Sequence, residues 1–580
     1  MKITMGKRLT AATATLAALT MLLAGCGGSG GKTTGSQATG SNAAEPAAGF
    51  TPDYKGAYPM PSKDKAYDNE QPANNVKDGG ELHLATTYTD SWNYFSVDGN
   101  TGYMSGLWNW YMPSFYNMDL KGNITWNPDY VTKAEQTSKN PEVVTIDINP
   151  KAKFNDGTDM DWTAIKALVD VQNGKDPGYN AASTDGYKDV KSVEAGKNSK
   201  EVVITFAKQF FPWETLFSTA LNPKAANPET FTKGWNDNPH NEWGAGPYKV
   251  TKADKDQAIF ERNENWWGVK PKLDKITYKY MEDAATLNAF KNGELDAVTF
   301  ATNNSLKTIL GRKDIQIRLG YSKSTDVLMY NGKSGALKDI NVREAINEAL
   351  DVNTMTKVHF QGLNWTPEEA GSELFPVFQE GYENNLPDNL KNGKDLKASD
   401  KALSKAGYKK GSDGYYSKDG KVLSLRYTYF GDSPTSTAMA KAYQQMMKDA
   451  GIKITIDNRD SAKFSKTLNS GDYDILPMSW SAPSPYSQVN VNQLYGSKSA
   501  SNFSFVGNSK IDKMADVPGT ISDQFKAVAA ANKAEAEALK LYGTRPLDVP
   551  PSFVAVKTGL ANYGPNGFKG IDPVTVGWQK

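Results

Sequence analysis

The chain has 580 residues, and its 66 Lys and Arg nearly balance its 65 Asp and Glu, for a formal charge of +1. Such a mixed-sign balance argues against a nucleic-acid binder, which needs clustered positive charge, and gives no reason to expect adhesion to acidic lipid headgroups. One cysteine in the whole chain excludes internal disulfides and cysteine-based zinc sites.

The elements begin with a basic segment (Lys2, Lys7, Arg8), an apolar stretch from Leu9 to Leu23 without an acid, and then Ala24-Gly25-Cys26. That order is a secretory signal. The apolar stretch is too short and too rich in Ala and Thr for a membrane span, and no other run of about 18 apolar residues follows. The junction resembles a bacterial lipobox. This implies cleavage after residue 25, lipid on Cys26, and a chain held on the extracellular face of the cell membrane. Removing residues 1–25 takes away three positive charges and no negative one, which turns the formal +1 into −2. Residues 26–77 are rich in Gly, Ser, Thr, Asn and Pro and are predicted to form a flexible tether. A dinucleotide-type glycine pattern at Gly25–Gly30 has neither a strand before it nor a helix after it, so it is discounted as low complexity.

Globular patterning starts at Gly79. Strand alternation predicts β-structure at 81–86, 143–148 and 201–206, a turn at Asn155-Asp156-Gly157, and a helix from about Asp161 with Trp162, Ile165 and Val169 on one face. Three later segments repeat the order helix, glycine, strand. Leu287 and Phe290 precede Gly293 and the strand 295–298. Val342, Ala345, Ile346, Ala349 and Leu350 form a helical stripe. Met439, Ala442, Tyr443, Met446 and Met447 form another, ended by Gly451 and followed by Ile452, Ile454 and Ile456 at strand spacing. This is the pattern of mixed α/β layers. About 500 residues exceed one core, so two or three lobes are expected.

Catalytic chemistry is poorly marked. His83, His240 and His359 are scattered, none begins a zinc-protease helix motif, and no nucleophile–base arrangement stands out. A paired-carboxylate hydrolase is the alternative of another class, and a sensor or adhesin is a third. No cofactor is indicated.

Six motifs then appear in order: Phe154-Asn155-Asp156-Gly157-Thr158; Gly244-Ala245-Gly246-Pro247-Tyr248; Arg262-Asn263-Glu264-Asn265-Trp266-Trp267; Gly293-Glu294-Leu295-Asp296; Val342-Arg343-Glu344-Ala345 with Ala349-Leu350-Asp351; and Gly471-Asp472-Tyr473-Asp474-Ile475 leading to Ser479-Trp480. Together they resemble the extracellular solute-binding proteins of ABC importers, family 5, the oligopeptide/dipeptide/nickel-binding type. The resemblance implies an α/β, two-lobed periplasmic-binding-protein-like clamp (type II, cluster C) with an extra third domain. The implied divisions are 78–125, 243–332 and 556–580 for lobe I, 126–242 for the appended domain, and 333–555 for lobe II. It further implies a monomer that is not an enzyme, with ABC permease subunits as partners and a peptide as cargo, or alternatively an oligosaccharide or other small solute. Most of the motifs read as structural, so Asp156, Arg343 and Asp472 are not expected to touch ligand.

Peptide-binding members place an Asp three residues after the Trp that matches Trp480, to meet the ligand ammonium. Here that place is Pro483, which has no charge and no N–H. Asp98 or Asp432 is the candidate substitute. The expected cleft residues are Trp480, Tyr486, Phe430, Trp92, Tyr94, Trp108, Trp110 and Trp365, with Trp480 foremost because the family places its ring in the pocket.

Overall fold

Alternating burial builds the first sheet. Leu82 and Leu84 point inward from the strand Glu81–Thr86, which pairs in parallel with Lys275–Tyr280. Gln257–Arg262 and Tyr248–Ala253 complete four strands. The structure is a computed structural model that describes residues 47–56, 58–61, 65–363 and 370–580. A second four-stranded antiparallel sheet runs in the order Val131–Lys139, Glu142–Ile148, Glu201–Phe206, Val190–Ala195. The helix Trp162–Gln172 packs against it, and the Asp161 carboxylate caps that helix by accepting from Thr163 N at 2.9 Å. One continuous apolar cluster joins the two sheets, from Leu82 through Val144 and Leu168 to Phe260.

A third sheet has three strands, Ala297–Phe300, Ser552–Lys557 and Ile315–Gly320, with Ser552–Lys557 in the middle. A fourth has five, in the order Lys453–Arg459, Ser424–Phe430, Ile475–Ser481, Ser324–Tyr330, Thr544–Asp548. The chain passes between these two sheets twice. Residues 321–323 lead from Ile315–Gly320 into Ser324–Tyr330, and 549–551 lead from Thr544–Asp548 back into Ser552–Lys557. The five-stranded sheet has its own core, in which the helices Ile340–Ala349 and Pro434–Asp449 bury the predicted apolar stripes. Gly451 follows the second helix at φ +77°, a backbone state that costs a residue with a Cβ about 1–2 kcal/mol. Gly246 has a different constraint: a Cβ there would lie 2.7 Å from the Tyr111 carbonyl carbon.

Three of the motif residues have partners within the fold. Arg343 donates through Nε to Leu541 O at 3.0 Å and through Nη1 to Leu337 O at 2.6 Å. Asp156 pairs with Lys224 at 2.7 Å, and Asp472 with Arg426 at 3.0 Å and Arg459 at 3.1 Å.

The tether expectation requires correction over its second half. Phe50, Tyr58 and Tyr67 are buried in the core of the three-stranded sheet, and Phe50 bridges to Ile317 through two backbone hydrogen bonds of 2.8 and 2.7 Å. The physical reason is aromatic: three large rings bury enough apolar surface to offset the ordering of a Gly- and Pro-rich segment. Arg318, fully buried on the adjacent position, donates to the carbonyls of Ala48, Asp68, Leu560 and Tyr563 and so ties this segment to the C-terminal one. Cys26 and the signal segment lie outside the described residues, as does Trp365.

Candidate functional site

A cavity of about 1230 Å³ opens beside the five-stranded sheet. That is larger than the 300–1,000 Å³ typical of a drug-sized ligand site. Its walls come from segments far apart in sequence, including Tyr94–Met118, Tyr321–Val327 and Pro477–Ser484.

Strand geometry makes one wall unusual. Ile475–Ser481 pairs along its whole length with Ser324–Tyr330, in the register Trp480↔Thr325 and Ser479↔Asp326. On its other edge it meets Ser424–Phe430 at a single position, Tyr427↔Ile475. Beyond that point the two strands part. The edge from Pro477 to Ser481 lines the cavity, as do Tyr429 and Phe430. Among the described residues it has no further ladder partner there. An open strand edge is a row of N–H and C=O groups that an extended chain can complete.

Of the expected cleft residues, Trp480, Tyr486, Phe430, Tyr94 and Trp110 line the cavity. Trp480 stacks on Phe503 with ring planes 11° apart, and its indole Nε1 is buried without a partner. Trp110 is almost wholly buried, its Nε1 donating to Tyr278 Oη at 3.1 Å. Trp92 and Trp108 are packed in the first core instead, where Trp108 Nε1 donates to Trp92 O at 2.7 Å. Neither candidate carboxylate is on the cavity wall. Asp98 accepts from Asn180 Nδ2 at 2.6 Å and Asn469 Nδ2 at 2.5 Å, and Asp432 is exposed, accepting from Ala284 N at 3.3 Å.

Among the described residues the acids that do line the cavity are Asp185, Asp326 and Glu373, and sequence reasoning had not singled them out. Burial pushes the Asp185 carboxyl up to about 6, against the opposing pull of Lys188 3.9 Å away. Burial pushes Glu373 further, to about 8, with the nearby Glu535 adding to the rise and the Thr544 hydroxyl, which donates to its carboxylate, opposing it. Glu535 is better served, accepting from Ser372 Oγ, Tyr495 Oη, Asn385 Nδ2 and the Glu373 N–H at 2.5–2.8 Å. Asp326 accepts from the Ser479 hydroxyl and is likewise raised by burial. Lys323, which also lines the cavity, is held below the usual amine range by burial. The wall from Trp480 through Pro483 to Tyr486 carries no charge at all.

This architecture has known counterparts. The sequence profile of the bacterial extracellular solute-binding proteins, family 5, matches residues 125–502. The chain belongs to that family. The oligopeptide-binding protein OppA of Mycobacterium tuberculosis is 31% identical over 525 residues, covering 88% of this chain and 87% of that one. Among solved structures, the oligopeptide-binding protein AppA of Bacillus subtilis, in complex with a nonapeptide, superposes with a TM-score of 0.76 at 20% identity, covering 87% of this chain and all of that one. A periplasmic EDTA-binding protein, EppA, superposes equally well, with a TM-score of 0.76 at 22% identity, covering 88% and 98%. As a family 5 solute-binding protein, the chain has the mixed α/β, two-lobed clamp fold that the sequence motifs imply. Among the described residues no helix is long and apolar enough to cross a membrane.

Proposed function

We propose that this protein is the lipid-anchored, peptide-capturing subunit of an ABC importer, working outside the cell and delivering unaltered cargo to a membrane permease. The observation that carries the peptide reading is the open edge from Pro477 to Ser481, facing a cavity large enough for several residues. A bound peptide would add itself as a strand there, satisfying its own main chain, while Trp480, Tyr486 and Phe430 supply apolar contact. The names of the relatives, oligopeptide-binding proteins, point the same way. The uncharged run through Pro483 supports recognition by main chain rather than by a terminal ammonium. Moderate affinity suits a carrier that must release, and micromolar binding corresponds to about −8 kcal/mol.

The clamp is proposed to divide much as the motifs imply, as a monomer, with the two short passages at 321–323 and 549–551 as its pivot and the sheet of Val131–Lys139 forming the appended domain. Closing over cargo by bending at a few such residues is a common hinge design. The lipid is proposed to sit on Cys26. Labelled fatty acid should enter the native chain and not the Cys26→Ala variant.

A thermal-shift panel of peptides and neutral oligosaccharides tests the cargo, since a ligand bound only by the native state raises the melting temperature. Stabilisation by peptides of several residues is expected, with every peptide recovered intact. Stabilisation by sugars alone would overturn the peptide assignment, and cleaved peptide would overturn the transport role.

A further inference from the structure

Next to the two passages between the sheets lies a group of side chains, two of them on the cavity wall, to which the peptide reading assigns no role. Asp326 is the third residue of Ser324–Tyr330, just past the first passage between sheets, and Asp548 is the last residue of Thr544–Asp548, just before the second. The two are cross-strand partners, at a point where the register slips. His359 comes from a third element, the helix Val352–Phe360, and faces them both. One ligand atom from each of the three lies within 4.8 Å of the others, and His359 Nδ1 stands 3.7 Å from Asp326 Oδ2.

The hydrogen bonding around the group is incomplete. Asp548 is 1% exposed, and its Oδ2 accepts from Thr356 Oγ1 at 3.2 Å, one turn before His359 on the same helix. Its Oδ1 is buried with no partner, and so is His359 Nδ1. Asp326 is supported on its far side by the Ser479 hydroxyl. A buried carboxylate oxygen and a buried ring nitrogen, both unpaired and both directed into a space shared with a second carboxylate, form a set of donors without an acceptor of electron density. Unpaired buried groups of this kind are costly, and they call for a ligand.

We infer that Asp326, His359 and Asp548 form a divalent transition-metal site at the hinge. One imidazole and two carboxylates suit zinc, cobalt, nickel or manganese better than magnesium or calcium, which prefer oxygen alone. Metal–ligand bonds of about 2.0–2.2 Å place ligand atoms roughly 3 Å apart, so the separations within the group need to shorten by up to about 2 Å around an ion. Thr356 and Ser479 are the outer supports that orient the carboxylates. Asp326 and His359 lie on the cavity wall, so the ion has an entry path from the cleft. An ion there would tie both passages between the sheets to the helix Val352–Phe360 and stiffen the pivot. Among the described residues no other His, Cys, Asp and Glu group meets the same geometry. His83 is already satisfied, its two nitrogens lying 3.0 Å from Asp296 and 3.2 Å from Glu81. The inference does not depend on what the cleft carries.

The test uses the full chain from residue 26, stripped with chelator and free of peptide. Zinc chloride is titrated in by calorimetry, and cobalt chloride is followed by its visible ligand-field absorption. One equivalent is expected to bind, with a rise in melting temperature. His359→Gln and Asp548→Asn should each weaken zinc at least tenfold and abolish the cobalt spectrum, while His83→Ala changes neither. Asp548→Asn exchanges one carboxylate oxygen for an amide nitrogen at nearly constant shape, and its folding is checked by circular dichroism alongside the His359 variant. Absence of binding below millimolar metal, or binding and a cobalt spectrum that survive both substitutions, would overturn the inference.

Discussion

Glu373 offers the sharpest test of the cavity electrostatics. Its carboxyl is buried beside Glu535 and accepts from the Thr544 hydroxyl, and its pKa stands at about 8 against a reference of 4.5. The folded state therefore keeps this proton over a range where the unfolded chain has lost it. Stability from that proton is fully present below the unfolded value and is lost as pH rises towards the folded one, so wild-type stability falls between about pH 5 and about pH 8. One pKa unit is worth about 1.4 kcal/mol, which makes the loss across that window roughly 3–4 kcal/mol. Glu373→Gln keeps the shape and the hydroxyl contact from Thr544 but cannot ionise. Its stability should fall less steeply over the same window, where Asp185 and the other raised acids still titrate, so the variant gains on the wild type as pH rises. At about 2 cal/mol/K per residue, a cooperative unit of this size converts the difference into roughly 3 °C. Calorimetric melting of both proteins in matched buffers at four pH values reads it directly. Parallel pH curves, or a variant that is the less stable of the two at about pH 8, would refute the assignment of a neutral buried acid.

Other outcomes follow from the cleft and from the terminal tie. Trp480→Ala should lower affinity for a binding peptide at least tenfold, about 1.4 kcal/mol, with melting of the empty protein little changed; titration calorimetry checks it, and unaltered affinity removes Trp480 from the site. Acetylating the N-terminus of that peptide should cost less than about threefold, because no acid occupies the Pro483 position; a hundredfold loss would show that a carboxylate elsewhere grips the ammonium. Arg318→Met should destabilise by about 3 kcal/mol or more in urea unfolding, since four carbonyls from residues 48, 68, 560 and 563 lose their donor. A change below about 1 kcal/mol would mean that the two chain ends are not held through this residue.

Local elements were legible because their signals are local. Glu81–Thr86 and Glu201–Phe206 alternate, Asp161 announces its helix as a cap, and Gly293 and Gly451 follow their helices at positive φ. The apolar stripe from Val342 to Ala349 predicted which face of its helix is buried. The cleft was legible only in part, since a ring does not disclose its side: Trp108 and Trp110 are two residues apart, yet only Trp110 reaches the cavity. The wall acids gave no sign at all. Asp326 becomes notable only when a strand more than two hundred residues later brings Asp548 beside it, and Glu373 only when the helix Gln524–Leu539 brings Glu535. Such meetings depend on long-range pairing, which composition and periodicity do not encode. The buried stretch around Phe50 was missed for the opposite reason: three rings outweigh a composition typical of a loose segment.

The bridge between Phe50 and Ile317 fastens the chain's beginning to the strand that runs straight into the first passage. On the proposed lipid-anchored reading, a pull from the membrane would reach the described part of the chain close to this bridge. The load would fall first on the core of the three-stranded sheet, which Phe50 shares with Phe300, Phe360 and Phe553.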